Sequence, residues 1–384
     1  MKQKIFLISM RVLSYILVAA IAVGLTMAFG NNKLTQLEKL IKAYYIDEDQ
    51  LDYDALEDVA ASAMIDALPD GWSYYISADQ YAAYESNRAN SFVGVGITVQ
   101  AREDGKGLDI VEITAGGGAQ KAGLQPGDVL VKVDGQSLEG KQVTDASAMI
   151  QGEEGTFVEL EVLRGTEIMK FSVERTLIRV QVATYRMLEG DIGYIYIANF
   201  HERCAEETIA AVKDLQSQGA KALIFDVRGN GGGYKNEMVK VLDFLLPEGT
   251  LFRSVDYKGK EEIDKSDASC VDMPMAVLID AESYSAAEFF AAALEEYGWA
   301  VTVGAPTVGK GHFQVTLRLP DGSAVALSVG KYYTPRGVSL SEAGGLTPKV
   351  TAELSQEAAM KLYSGMLPYE EDPQLQAAVA ALKK

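Results

Sequence analysis

"MAVLIDAESYSAAEFFAAALEEYG" (Met275–Gly298) is the stretch whose reading decides the fold. It opens on an apolar run closed by Asp280, the pattern of a strand buried on both faces. A polar turn follows, and then an Ala- and Phe-rich run that Gly298 stops as a C-terminal glycine does. The turn carries Ser283 and Ser285 on either side of Tyr284, where one capping residue would suffice. Read alone, the serines are a helix cap. With two available, one can cap while the other stands as a nucleophile near unpaired N–H groups at the positive end of the helix.

The same texture extends outward. Strand candidates are Tyr194–Ile197, Ala222–Val227, Ala276–Ile279 and Ala300–Val303, with helical patterns at Glu206–Gln218 and Ser285–Tyr297. Strands alternating with helices predict a largely parallel sheet covered by helices. A hairpin follows, "VTLRLPDGSAVALSV", turning at Pro320-Asp321-Gly322. Upstream, from Phe92 to about Leu177, short strand-like runs with glycine turns predict a compact β-rich module containing one helix, "TDASAMIQG". Residues 31–91 read as helical, with Leu34, Leu37, Leu40 and Ile41 on one face. At the N-terminus Lys2, Lys4 and Arg11 precede the uncharged stretch Val12–Phe29, the pattern of a signal anchor or signal peptide over residues 1–30. The basic flank predicts a cytoplasmic N-terminus and an exported remainder, held at the cell membrane or secreted if cleaved.

Composition excludes several classes of function. The 384 residues carry 35 basic and 54 acidic side chains, a net charge of −19 that argues against a nucleic-acid partner. Two cysteines, Cys204 and Cys270, exclude a disulfide framework, and two histidines, His201 and His312, speak against a multi-His metal site. No metal and no cofactor is expected.

"GGGAQKAGLQPGDVLVKVDGQSL" (Gly116–Leu138) resembles the central segment of a PDZ domain, and "FVGVGITV" precedes it where that family has its carboxylate-binding loop. Gly94, Val95, Gly96 and Ile97 are therefore the expected peptide-binding residues. Backbone N–H groups in such a loop hold a terminal carboxylate, and the adjoining strand edge pairs with an extended tail. Glycines permit the close approach.

Three further segments look chemical together. "IFDVRGNGGGY" (Ile224–Tyr234) ends a strand in consecutive glycines whose N–H groups converge, an anion-binding arrangement suited to an oxyanion hole. No Gly-Lys-Ser/Thr follows, which disfavours a phosphate loop. The second segment is the Ser285 turn, and the third is "GAPTVGKGHFQV" (Gly304–Val315), one helix and one strand later. Together they resemble the carboxyl-terminal processing (tail-specific) serine peptidases, with Ser285-Ala286-Ala287-Glu288 at the nucleophile motif and Gly309-Lys310-Gly311 at the base motif. The family's Gln falls on Gln314, its glycine turn on Asp226–Gly233, and "YYTPRG" and "GLTPKV" match its downstream landmarks. Departures are Gly231 for Pro, Ala287 for the second Ser, Asp280 for Asn, and His312. The resemblance implies an α/β multidomain protein: a mixed-sheet, ClpP/crotonase-like α/β core over residues 178–384, a PDZ domain over 92–177, and flanking helices.

The expected chemistry is peptide-bond cleavage through an acyl-enzyme on Ser285, with Lys310 as base and the N–H groups of Gly232 and Ala286 receiving the oxyanion. Gln314 is expected to hold the lysine amine. An ordinary lysine costs about 4 to 5 kcal/mol to deprotonate at pH 7, at ~1.36 kcal/mol per pKa unit. Lys310 must therefore be buried. Ser283 keeps the capping role, and Asp226 with Arg228 forms a supporting pair. A Ser–His pair using His312 is the rival mechanism. The expected partners are protein substrates with accessible apolar C-termini, and a homodimer is left open. The alternatives are an inactive PDZ scaffold that binds tails without cutting them and, more distantly, a crotonase-type acyl-CoA enzyme.

Overall fold

The computed structural model describes residues 32–383, so the expected signal segment lies outside it. The chain divides into two compact units, one ending at Met64 and one beginning at Ile65. In the first, α1 (Lys33–Tyr44) is capped by Asn32, whose side-chain oxygen accepts from Thr35 N–H at 2.8 Å. The expected apolar face forms, but Leu34, Leu37 and Leu40 on it are exposed. α2 spans Tyr53–Asp66. Among the described residues no helix is long and apolar enough to cross a membrane.

The last two residues of α2 already belong to the second unit, in which β1 (Tyr74–Ile76) and α3 (Ala78–Arg88) follow. The β-rich module then comprises β2 (Ser91–Gly94), β3 (Ile97–Ala101), β4 (Leu108–Ile113), α4 (Gly118–Ala122), β5 (Val129–Val133), β6 (Gln136–Ser137), α5 (Val143–Ile150), β7 (Phe157–Arg164) and β8 (Glu167–Glu174). Its main sheet runs β3-β4-β5-β7-β8, which leaves β3 on an edge. Strand β2 pairs antiparallel with β9 (Thr176–Arg179), closing the module where the chain enters and leaves.

The core follows with β10 (Ala183–Leu188), β11 (Ile192–Ile197), α6 (Cys204–Ser217), β12 (Ala222–Asp226), α7 (Lys235–Leu245), β13 (Gly249–Asp256), β14 (Glu261–Ser266), β15 (Met275–Ile279), α8 (Ala286–Glu296) and β16 (Ala300–Gly304). It ends with β17 (His312–Arg318), β18 (Ala324–Tyr333), α9 (Leu340–Ala343), β19 (Val350–Thr351), α10 (Gln356–Tyr363) and α11 (Pro373–Leu382). One sheet has the order β10-β11-β12-β15-β16-β19, with every pairing parallel except β10 to β11. All of β12 and β15 is buried, as their unbroken apolar runs predict. Successive residues face opposite ways: Leu223, Phe225, Val277 and Ile279 pack with α6, α7 and α8, whereas Ile224, Ala276 and Leu278 pack with α11. The fold is thus the expected mixed α/β core carrying a small β module.

A second sheet, β1-β18-β13-β14 with β17 on β18, decides what faces the site. The expected hairpin is β17–β18. Pairing of Tyr74–Ile76 with Ala324–Ala326 brings the segment ahead of the β module to the core.

Candidate active site

Ser285 occupies the N-cap of α8 with φ 57° and ψ −126°, a conformation that costs a non-glycine residue about 1–3 kcal/mol. Such a backbone persists only where its surroundings impose it. Its N–H donates to Glu288 Oε2 at 2.8 Å, one turn into the helix. Ser283, expected as the cap, is not one: its hydroxyl donates to Val227 O at 2.8 Å and accepts from Asp280 N–H at 3.1 Å. The helix begins at Ala286, so Ser283 lies outside its first turn and fastens the end of β15 to the end of β12.

Glu288 joins the two parts of the site. Its side chain is 0% exposed, and the oxygen that accepts from Ser285 also accepts Lys310 N–H at 2.9 Å. Its other oxygen accepts Gly309 N–H at 2.6 Å and the Thr307 hydroxyl. Burial pushes the Glu288 carboxyl above its ordinary range, while these donors pull it back down. Sequence reading assigned Glu288 no role, although the Ser-x-x-Glu spacing of a capping box was there to find it.

The flanking glycines of Lys310 have separate reasons. At Gly309 (φ +88°) a Cβ would lie 2.8 Å from Gly345 N, and at Gly311 one would lie 2.7 Å from the Ser341 hydroxyl. The loop is pressed against α9 and its exit, where no side chain fits. The Lys310 ammonium rests over the rings of Trp72 (4.9 Å) and Tyr284 (5.7 Å), which stack on each other. Burial pushes its pKa below the ordinary lysine value; Glu288 opposes this, Arg88 adds to it, and Asp70 opposes it. Among the described residues no hydrogen bond joins Lys310 Nζ to Ser285 or to Gln314. The amide of Gln314 instead donates to Ser328 Oγ at 3.0 Å and to His312 O at 3.3 Å.

The glycine turn lies directly against the serine. A Cβ on Gly232 (φ +87°) would meet Ser285 Cβ at 2.8 Å and Ala286 N at 2.9 Å. At Gly231, where the family pattern has Pro, a Cβ would meet the Tyr284 hydroxyl at 2.6 Å, so Tyr284 occupies the space that the substitution opens. Gly232 N–H, expected to be free for an oxyanion, donates to Asn230 Oδ1 at 2.8 Å. Asn230 is itself buried, and its amide donates to Ile197 O. Behind the turn, Arg228 is buried against Asp226 and Asp372 (2.7 Å) and donates to Gln374 Oε1 at 2.9 Å. This is the expected supporting pair, enlarged by two residues from the C-terminal segment.

Ser285, Gly232, Lys310 and Gln314 share the lining of one cavity of about 480 Å³. His312, the rival base, is not part of that lining; His201 is, with Nδ1 against Asn87 O at 3.2 Å. Burial, and then the Arg88 charge, pushes the His201 pKa down. Tyr74, Tyr84 and Arg88 also line the cavity, and sequence reading missed all of them because no local pattern links them to residues two hundred positions away.

A second, smaller cavity of about 190 Å³ lies between β3 and α5, lined by Gly94 to Ile97, Val99, Ser147 and Ile150. Val95 is 1% exposed and packs in the module's core.

Comparison with known proteins agrees with this architecture. Residues 191–352 match peptidase family S41 and residues 110–164 match the PDZ domain. The carboxy-terminal processing protease CtpA of Bacillus subtilis is 36% identical over 337 residues, covering 86% of this chain and 71% of that protein. A Staphylococcus aureus protein described as a CtpA-like serine protease is 31% identical over 326 residues, covering 84% of this chain and 64% of its own length. A solved Bacteroides fragilis protein described as an S41 protease shares the fold, with a TM-score of 0.52 at 17% identity over 91% of this chain and 97% of that one. The chain belongs to peptidase family S41, the carboxyl-terminal processing serine peptidases.

Proposed function

We propose that the protein is an exported endopeptidase that captures protein C-termini in its PDZ groove and cleaves them with Ser285 and Lys310. One observation carries the pairing: a single buried carboxylate oxygen, Glu288 Oε2, accepts the backbone N–H of both residues. The nucleophile turn and the base loop are therefore held to a common buried point behind the cavity that Ser285 and Lys310 line. Export rests on the basic flank and apolar stretch of residues 2–29. Tail capture rests on the open edge of β3 beside a small groove.

Lys310 Nζ leaves the Trp72 and Tyr284 rings in its neutral form, which lacks the attraction that those rings offer a cation. It takes the proton of Ser285 Oγ, which attacks the substrate carbonyl. Ala286 N–H lies at the helix N-terminus and faces the developing charge. Gly232 N–H exchanges Asn230 Oδ1 for the oxyanion. A neutral carbonyl offers no gain over a neutral amide oxygen, whereas a bond to an ionised acceptor is roughly twice as strong. The exchange therefore favours the transition state over bound substrate, which is the kind of interaction that raises kcat. Departure of the amine leaves the acyl-enzyme, and water assisted by Lys310 releases it.

The test uses the chain from residue 31 onward with an unstructured protein ending in apolar residues. Ser285→Ala and Lys310→Gln are expected to lose at least ~10³-fold in kcat. Equal proteolysis by all three proteins would sink the pairing.

A further inference from the structure

Among the described residues, none that lines the cavity of Ser285 and Lys310 is an acid. The sequence has 54 Asp and Glu against 35 Lys and Arg, yet the lining has Arg88 and His201 beside Lys310 and not one carboxylate. Lys310 must be uncharged to act as a base, so Arg88 is the permanent charge there.

Arg88 ends α3 and is presented by a pinned backbone. Next to it, Asn90 Nδ2 donates to Asn199 Oδ1 (3.1 Å) and Glu202 O (2.9 Å), and Arg203 donates to Ala89 O (3.0 Å) and Asn90 O (3.1 Å). Its own partners are neutral. Nε–H donates to the Tyr234 hydroxyl at 3.0 Å, Nη1–H to the Tyr84 hydroxyl, and the guanidinium lies 4.3 Å from the centre of the Tyr234 ring. Glu85 and Glu202 line the adjoining cavity with it, but neither pairs with it; Glu85 accepts from the Tyr81 hydroxyl at 2.8 Å instead. Among the described residues Nη2 has no partner. Arg228, by contrast, has two aspartates and a glutamine around its fork. A half-buried guanidinium with neutral partners and an unpartnered Nη2 matches an anionic acceptor such as a carboxylate.

We propose that Arg88 binds a carboxylate of the substrate in the cleaving cleft. The proposal rests on the reading of Ser285 and Lys310 as the cleaving pair. The carboxylate has two sources: an acidic side chain near the scissile bond, or the free chain end of a short substrate. Cleavage of short peptides in two matched sets separates them, one set Glu against Gln beside the scissile bond with amidated ends, the other neutral throughout with a free or an amidated end. The ratio of kcat/KM, acid over neutral, is expected to be about tenfold in one set, the scale of a charge-assisted hydrogen bond. In Arg88→Met that ratio falls to near one, and Arg88→Glu prefers a Lys peptide over its Glu counterpart. A merely structural role for Arg88 would slow all peptides alike and leave the ratio untouched. A wild-type ratio near one in both sets, or a ratio that survives Arg88→Met, overturns the proposal. Failure of the parent reading is separate: the neutral amidated peptide would then be cut equally by wild type and Ser285→Ala.

Discussion

Two glycine turns in this molecule are proposed to receive anions, and they are built differently. In the PDZ module a Cβ on Gly96 (φ +78°) would press on Ile178 Cδ1 at 3.1 Å and Thr114 Cβ at 3.2 Å, both of them side-chain atoms. In the core a Cβ on Gly232 would strike Ser285 Cβ at 2.8 Å together with Ala286 N and Tyr284 O at 2.9 Å, and one on Gly233 would lie 2.4 Å from Phe200 C, all but the first of them backbone atoms. Side chains can give by a few tenths of an ångström, whereas backbone held in a helix start and a sheet cannot. On the proposed function, the PDZ turn would bind a charge that is already present, so small displacement would weaken an equilibrium. The core turn would meet a charge that exists only in the transition state, and its donors must be in place beforehand.

The comparison predicts unequal consequences. Gly232→Ala should lower kcat on the order of 10²–10³-fold, the scale of losing one oxyanion donor, with a melting curve to show that the chain still folds. Wild-type kcat in that variant would break the contrast. Gly96→Ala should raise KM for a tail-bearing protein by about tenfold with a smaller effect on kcat, because the free loop relaxes away from a left-handed backbone that costs a Cβ residue about 1–2 kcal/mol and must return to it to bind. A fall in kcat as deep as that of Gly232→Ala would show that the two turns do not act separately. The smallest effect sharpens the electrostatics around the core turn. Activity should rise with pH as Lys310 loses its proton, along a limb whose midpoint lies below the ordinary lysine value of 10.5, because burial disfavours the charged form. Of the charges acting on Lys310, Glu288 and Asp70 raise its pKa and Arg88 lowers it, so Arg88→Met should move the limb to higher pH. A shift to lower pH would contradict that arrangement.

The parts legible in the sequence were those whose signal is local. Buried strands β12 and β15 announced themselves as unbroken apolar runs, and the PDZ segment by glycine and aspartate at fixed offsets. Ser285, Lys310 and Gln314 stood out because each lies in a short motif, and all three reach the same cavity. Ser283 was misread because a serine before a helix looks like a cap whether the helix starts two residues later or three. Gln314 was expected at the lysine amine, but the β17–β18 pairing turns its amide to Ser328. Trp72 and Arg88 carried no signal at all. They reach the site because β1 adds to β18 and because Asn90 and Arg203 pin the end of α3, pairings that depend on the whole fold.

By itself, then, the sequence determined the α/β core and the inserted β module, and put forward Ser285 and Lys310 as the residues to attack and to take a proton, since side-chain chemistry and hydrophobic period are properties of short segments. Only the tertiary structure decided where the Lys310 ammonium rests, which acceptor Gly232 N–H holds, and that the cleft carries an arginine without an acid. Those depend on distances between segments far apart in the chain, and in a buried site such distances set hydrogen bonding, burial and charge.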